Sequence, residues 1–290
     1  MWTMLPAFSL PQSAYSTVLY FSLMRVFSRL ALCGLLFCLT TSFGGCGYVR
    51  YLIPLDPKAK TDAPPLTHAA WDGLLKKYVN DQGLVNYKSL QADSLALNAY
   101  LQELSAHLPS SSWTETDRLA YWINAYNAFT VQRIIRGYPV KSIKDLGGDK
   151  IFVNTPWDQH FIKLADTRYS LNDIEHRIIR KKFDDNRIHV ALVCAAMSCP
   201  RLRNEAFTGP RLNEQLDSQG RDFVNNPAKN KLTPPDKPQV SSIFNFYPKD
   251  FTKNGSTSVQ DFINRYATQK IKPDATLNYL TYDWSLNVQQ

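Results

Sequence analysis

The residue types best suited to chemistry crowd into one stretch, Arg187-Ile-His-Val-Ala-Leu-Val-Cys-Ala-Ala-Met-Ser-Cys-Pro-Arg-Leu202. Cys194 and Cys199 are the only cysteines after Cys46, and His189 precedes them on the same apolar run. Two thiols near an imidazole can make an activated nucleophile, a metal site or a local disulfide, and the spacing leaves all three open. Pro200 pushes Cys199 out of the helical region into an extended or turning backbone, where a thiol can meet a substrate. A neighbouring imidazole would then draw off its proton and make the thiolate. His176, His189, Cys194 and Cys199 have the composition of a two-His, two-Cys zinc set, but no pair has the short CxxC spacing. An exported chain would also hold its one cysteine pair where disulfides form.

Two further groups belong with these. On a helix over Ser170 to Phe183, Leu171, Ile174, Ile178 and Ile179 define the buried arc, and Glu175 falls inside it with His176 at its edge. A buried carboxylate must be paired, hydrogen-bonded or protonated, so Glu175 either orients an imidazole or joins a structural ion pair with Arg118 or Arg133. Asn124 and Asn127 project into the apolar sector of another helix, and buried amides demand partners. They either hold an imidazole tautomer, as in a Cys–His–Asn arrangement, or bridge backbone groups.

The elements that must position these residues are mostly helices. Trp71, Leu74, Leu75 and Tyr78 recur at helical spacing, and Leu95 to Leu108 follows with Leu97, Leu101 and Leu104 on one side. Thr116 to Arg136 is apolar all round except Gln132, Arg133 and Arg136, which predicts a helix through the core, closed by Gly137 and Pro139. Ser170 with Asp173 forms a capping-box pattern, and Val259, Phe262, Ile263 and Tyr266 predict a last helix. The run Ile188 to Cys194 reads as an inner strand, on which His189 faces away from Cys194. Ile151 to Val153 and His160 to Leu164 read as a hairpin, with weaker strands at Val240 to Phe244 and Leu277 to Tyr282. Helices early and strands late predict an α+β fold: an N-terminal helical cluster packed on a small mixed or antiparallel sheet, in a single domain.

Arg25 and Arg29 precede the apolar run Leu30 to Leu39, and small residues lead to Gly44-Gly45-Cys46. This is the pattern of a secretory signal over residues 1–45, with Met24 as the expected start. Phe43-Gly-Gly-Cys46 resembles a bacterial lipobox, which makes Cys46 the expected lipidation site. Residues 46–66, with Pro54, Pro57, Pro64 and Pro65, read as an extended tether, and 67–290 as the globular domain. Asn226 to Pro238 reads as a loop within it. The formal charge is +8, but the basic residues are interleaved with acids and form no stripe or aromatic platform, which argues against nucleic acid as a partner. No Gly-rich phosphate loop follows a strand, and no pattern specifies a nucleotide, flavin, haem or other cofactor.

Five segments resemble the DUF547 family, a domain of unknown function, in its bacterial exported or lipoprotein branch. They are Gly83-Leu-Val-Asn-Tyr87, Tyr121 to Ala128, Ser170 to Arg180, Arg187 to Leu202 and Tyr282 to Asn287. The likeness runs from about His68 to the end and implies an exported or lipid-anchored cell-envelope protein facing the periplasm, without supplying an activity or catalytic residues. The residues themselves lead to the expectation of a thiol-dependent hydrolase or acyl transferase acting on an amide or ester. Cys199 is then the nucleophile, His189 or His176 the base, and Asn124 or Glu175 its orienter. The alternative is a non-catalytic envelope module that binds a peptide, glycan or protein, with a Cys194–Cys199 disulfide or a structural metal.

Overall fold

The longest run of buried residues sets the architecture. The computed structural model describes residues 51–147 and 155–289. Within them α1 (Ala69–Tyr78), α2 (Tyr87–Ala92) and α3 (Ser94–Ala106) gather around the 23-residue α4 (Glu115–Gly137). Every residue of α4 from Leu119 to Gln132 is buried, so the helix is covered on all sides. Gln132, expected on a polar face, is buried too and donates to Asn98 Oδ1 at 3.0 Å. Thr114 caps the N-terminus by accepting from the Asp117 amide. At the other end a Cβ on Gly137 would lie 2.3 Å from Leu146 Cδ2, so glycine lets the Leu146 side chain of the following turn close on the helix without moving aside.

Ser170 and Asp173 form the expected reciprocal cap, each side chain accepting the other's amide at 3.0 Å. The helix it opens is π-helical over Asp173–Ile179 and ends as α5 (Arg180–Lys182). Single π turns are frequent at functional sites, because the wider winding re-aims side chains. Here Ile174, Ile178 and Ile179 are fully buried, with Glu175 beside them.

The fold is α+β and mostly helical, and its β structure consists of two small ladders. Strands β1 (Ile162–Leu164) and β2 (Thr167–Tyr169) pair antiparallel, Ile162 opposite Tyr169. Strands β3 (Gln239–Val240) and β4 (Asn278–Tyr279) pair in parallel. The expected partner of β1 at Ile151 to Val153 lies outside the described residues. Beyond β3 the chain does not continue as a strand to Phe244 but turns into α7 (Ile243–Phe246). Val259–Tyr266 forms the expected last helix, α8. With α6 (Leu212–Val224), α7 and α8 enclose a second apolar cluster of Phe223, Phe244, Phe251, Phe262 and Ile263.

Ile188 to Val193 is not the strand its composition suggests. One 3₁₀ turn spans Ile188–Val190, and irregular backbone follows. The segment is apolar because it runs between the two clusters: Ile188 belongs to one and Val190 to the other. Side chains replace the missing ladder. Asn127 Nδ2 donates to the Ala191 carbonyl and its Oδ1 accepts from the Val193 amide, while Gln219 Nε2 donates to the Val190 carbonyl at 2.9 Å.

Residues 51–66 are irregular, as their prolines require, but they lie along the domain rather than standing clear of it. The Leu55 amide donates to the Arg177 carbonyl at 3.0 Å, and Trp113 Nε1 donates to Ala63 at 2.6 Å. Among the described residues no helix is long and apolar enough to cross a membrane. The signal segment and Cys46 lie outside the described residues.

Candidate functional site

The chain bends sharply after Cys194. Ala195 has φ +61°, a left-handed conformation that costs an alanine about 1–2 kcal/mol and is held by its neighbours. The C-terminal segment supplies the hold: the Asn287 amide donates to Ala195, Met197 to Ser285 and Ser198 to Asp283. On the far side Lys229 Nζ donates to the carbonyls of Met197 and Cys199. The turn so fixed brings Cys199 back onto Cys194. Their sulfurs are 2.6 Å apart and both thiols are free.

Three donors converge on Cys199 Sγ: the Cys194 thiol, the Cys194 amide at 3.1 Å and the Tyr282 hydroxyl at 3.1 Å. Burial penalises the thiolate, but these bonds outweigh it and bring the Cys199 pKa down to about 7. Cys194 is driven the opposite way, because it gives its proton to that bond, is partly desolvated and faces the charge on Cys199. The pair therefore shares one proton, with the negative charge on Cys199. Tyr282 is pushed far up by burial and by both sulfurs, so its hydroxyl stays a donor.

Cys194, Cys199 and Tyr282 line a cavity of about 250 Å³ that also receives His189, Glu175 and Tyr247. His189 Nε2 is 2.8 Å from Asp250 Oδ2, and its ring stacks on Tyr247 with centroids 3.8 Å apart. Burial opposes the Asp250 charge, yet His189 and Arg180 hold its pKa well below the usual carboxylate range. The mouth is aromatic, with Trp157 edge-on to Trp284 and Tyr282 against Trp284 at 4.5 Å.

Glu175 is 5 % exposed, and its Oε1 has no hydrogen-bond partner among the described residues. Burial raises its pKa, but His176, His189, the Tyr247 hydroxyl and Arg180 lower it further, so the carboxylate stays charged. It makes no ion pair with Arg118 or Arg133; His176 Nδ1 lies 3.9 Å from its Oε1. His176 accepts from Arg180 Nη1 at 2.7 Å, and burial lowers its own pKa, which keeps it neutral at pH 7.

Of the residues singled out in the sequence, Cys194, Cys199, His189 and Glu175 meet at one cavity. His176 does not line it and backs Glu175 instead. Asn124 is elsewhere: its amide exchanges both bonds with the Phe207 backbone, at 2.7 and 3.0 Å, and orients no imidazole. Neither thiol is hydrogen-bonded to an imidazole, so the thiolate owes its stability to sulfur, hydroxyl and amide donors. The zinc set is not assembled: among the described residues no three His, Cys, Asp or Glu side chains cluster with metal-binding geometry. Sequence reasoning missed Tyr282, Tyr247, Asp250 and Lys229. Tyr282 was within reach, since it opens the closing motif Tyr282-Asp-Trp.

Residues 110–224 match the family described as "Protein of unknown function, DUF547". The matched span holds both thiols, His189 and Glu175, whereas Tyr247, Asp250 and Tyr282 follow it. Nothing matches among curated proteins or among solved structures.

Proposed function

We propose that this protein is a thiol-dependent hydrolase or acyl transferase that acts on an amide or ester, with Cys199 as nucleophile. One observation carries the reading: the donors around Cys199 Sγ favour thiolate at neutral pH, beside an imidazole oriented by a carboxylate in the same cavity. The Cys199 thiolate attacks the acyl carbon, forming a C–S bond and expelling an amine or alcohol. With His189 Nε2 committed to Asp250, Nδ1 is the nitrogen left to give the leaving group its proton and to deprotonate the water or acceptor that ends the cycle. Asp250 takes the orienting part expected of Asn124 or Glu175.

The test is p-nitrophenyl acetate with acyl-enzyme detection by mass. An acetyl group on Cys199, absent in Cys199→Ser and long-lived in His189→Asn, is expected. Equal hydrolysis by Cys199→Ser would end the reading.

The cell address belongs to the same proposal. The Arg25/Arg29 start, the apolar run and Gly44-Gly45-Cys46 support export of a bacterial protein lipid-anchored through Cys46, facing the periplasm and meeting an envelope peptide, glycan or protein. Metabolic labelling with an alkyne fatty acid, lost in Cys46→Ser, checks the anchor.

A further inference from the structure

Two free sulfurs in contact at the wall of a cavity invite chemistry that acyl transfer does not use. The pair is held from three directions. Lys229 ties down the carbonyls of Met197 and Cys199, and Asn127 ties down the backbone at Ala191 and Val193 just ahead of Cys194. The Tyr282 hydroxyl reaches both sulfurs, at 3.5 and 3.1 Å. Cys194 Sγ is 2.6 Å from Cys199 Sγ, so it needs no backbone movement to attack that sulfur once a group is attached there.

We infer that the Cys194–Cys199 pair carries out thiol–disulfide exchange with small organic disulfides, Cys199 attacking and Cys194 resolving. The inference rests on Cys199 as the nucleophile but on no acyl chemistry. In the first step Cys199 S⁻ bonds to one sulfur of R–S–S–R, that S–S bond breaks and R–S⁻ leaves. The departing thiolate takes the Cys194 proton and becomes R–SH. Cys194 S⁻ then attacks Cys199 Sγ and expels the second R–S⁻, which takes from solvent the proton Cys199 had released. The protein dithiol is oxidised by two electrons, and one disulfide is reduced to two thiols.

The order follows from the donors. The Cys194 amide and the Tyr282 hydroxyl each lie 3.1 Å from Cys199 Sγ, whereas the hydroxyl is 3.5 Å from Cys194 Sγ, so Cys199 is the better supported thiolate and Cys194 attacks only after the leaving group accepts its proton. The size class follows from the walls: Cys199 is 2 % exposed at a cavity of about 250 Å³, which a folded protein's disulfide does not enter. Closing the Cys194–Cys199 bond also removes the acyl nucleophile, so a single event would report redox state and silence the site.

The reduced full chain, with Cys33, Cys38 and Cys46 replaced by Ser so that only the pair reports, is mixed with bis(2-hydroxyethyl) disulfide under argon and followed by intact mass and by thiol release. Wild type is expected to end two hydrogens lighter, with two 2-mercaptoethanol released per chain, while Cys194→Ser stops at one mixed disulfide on Cys199. Loss of two thiols with insulin at the same rate would overturn the size class. Wild type that keeps both thiols, or stops at a mixed disulfide, would overturn the exchange, and so would attack through Cys194 in Cys199→Ser at the wild-type rate. Iodoacetamide on Cys194→Ser separates the two readings. Rapid alkylation of Cys199 in a protein that fails to exchange leaves the acyl reading standing, whereas an inert Cys199 removes both.

Discussion

Replacing Tyr282 by Phe deletes one oxygen and leaves the ring against Trp284, so it isolates the hydroxyl 3.1 Å from Cys199 Sγ. A hydrogen bond to a charged group contributes about 1.5–3 kcal/mol, and about 1.4 kcal/mol is one pKa unit. The Cys194 thiol and amide remain, so we take the lower end, a rise of about one unit. The Cys199 midpoint then moves from about 7 to roughly 8. The assay is the rate of iodoacetamide alkylation against pH in the reduced protein, with the modified cysteine identified by peptide mass. Thiolate fraction is not the whole rate, because a more basic thiolate is a better nucleophile, by roughly threefold per unit for a Brønsted slope near 0.45. The variant should therefore react about threefold more slowly at pH 6 and about threefold faster at pH 9, the two curves crossing near roughly pH 7.6. An unmoved midpoint, or a uniform change at every pH, would refute the claim that Tyr282 stabilises the thiolate.

Other substitutions separate structure from chemistry. Asn124→Ala and Asn127→Ala each strand two buried backbone groups and should each cost about 2–4 kcal/mol in urea unfolding. Only Asn127→Ala should also disturb Cys199 alkylation, since only Asn127 supports the approach to Cys194. Asp250→Asn breaks a buried cluster with Arg180 and His189; a loss of about 3–5 kcal/mol is expected. It should lower acyl turnover by about 100-fold or more while leaving the Cys199 alkylation midpoint in place. His68 is buried, accepts or donates at Tyr100 through Nδ1, and burial lowers its pKa from 6.5 to about 4. Below pH 6.5 the unfolded chain binds the proton and the folded one does not, so stability is complete above that pH. It falls by roughly 3 kcal/mol as pH drops to about 4. His68→Asn, which tolerates the left-handed φ of 58°, should abolish that part of the acid slope in thermal melts.

Periodicity made α1, α3 and α4 legible but not the short α2, and the cap at Ser170 and the burial of Glu175 followed from spacing alone. Two failures share one cause, polar side chains used as internal scaffolding. Gln215 and Gln219 are each 1 % exposed on the inner face of α6, where they interrupt the stripe of Leu212, Leu216 and Phe223 and hide the helix from a pattern search. The same Gln219, with Asn127, satisfies the backbone of residues 190–193, which is why an apolar run there needs no neighbouring strand. Alternation then says nothing about where His189 points. Its true partner, Asp250, is 61 positions away and follows no helical or strand period.

That scaffolding also explains how the site is tuned. A thiolate can be stabilised by a nearby positive charge, but Lys229, whose ammonium reaches this turn, spends its donors on the carbonyls of Met197 and Cys199. Burial lowers the Lys229 pKa even with the sulfurs opposing it, so it shapes the turn and its charge adds to the support of the thiolate. Neutral donors from Cys194 and Tyr282 do the larger part. Such donors are weaker than an imidazolium but insensitive to pH across the range in which Cys199 ionises, so the thiolate does not lose its support as a histidine titrates. In the proposed reaction the imidazole is thereby free for the leaving group. Nucleophile activation and proton transfer would then fall to different residues, which is the arrangement the separate readouts for Tyr282→Phe and Asp250→Asn are built to expose.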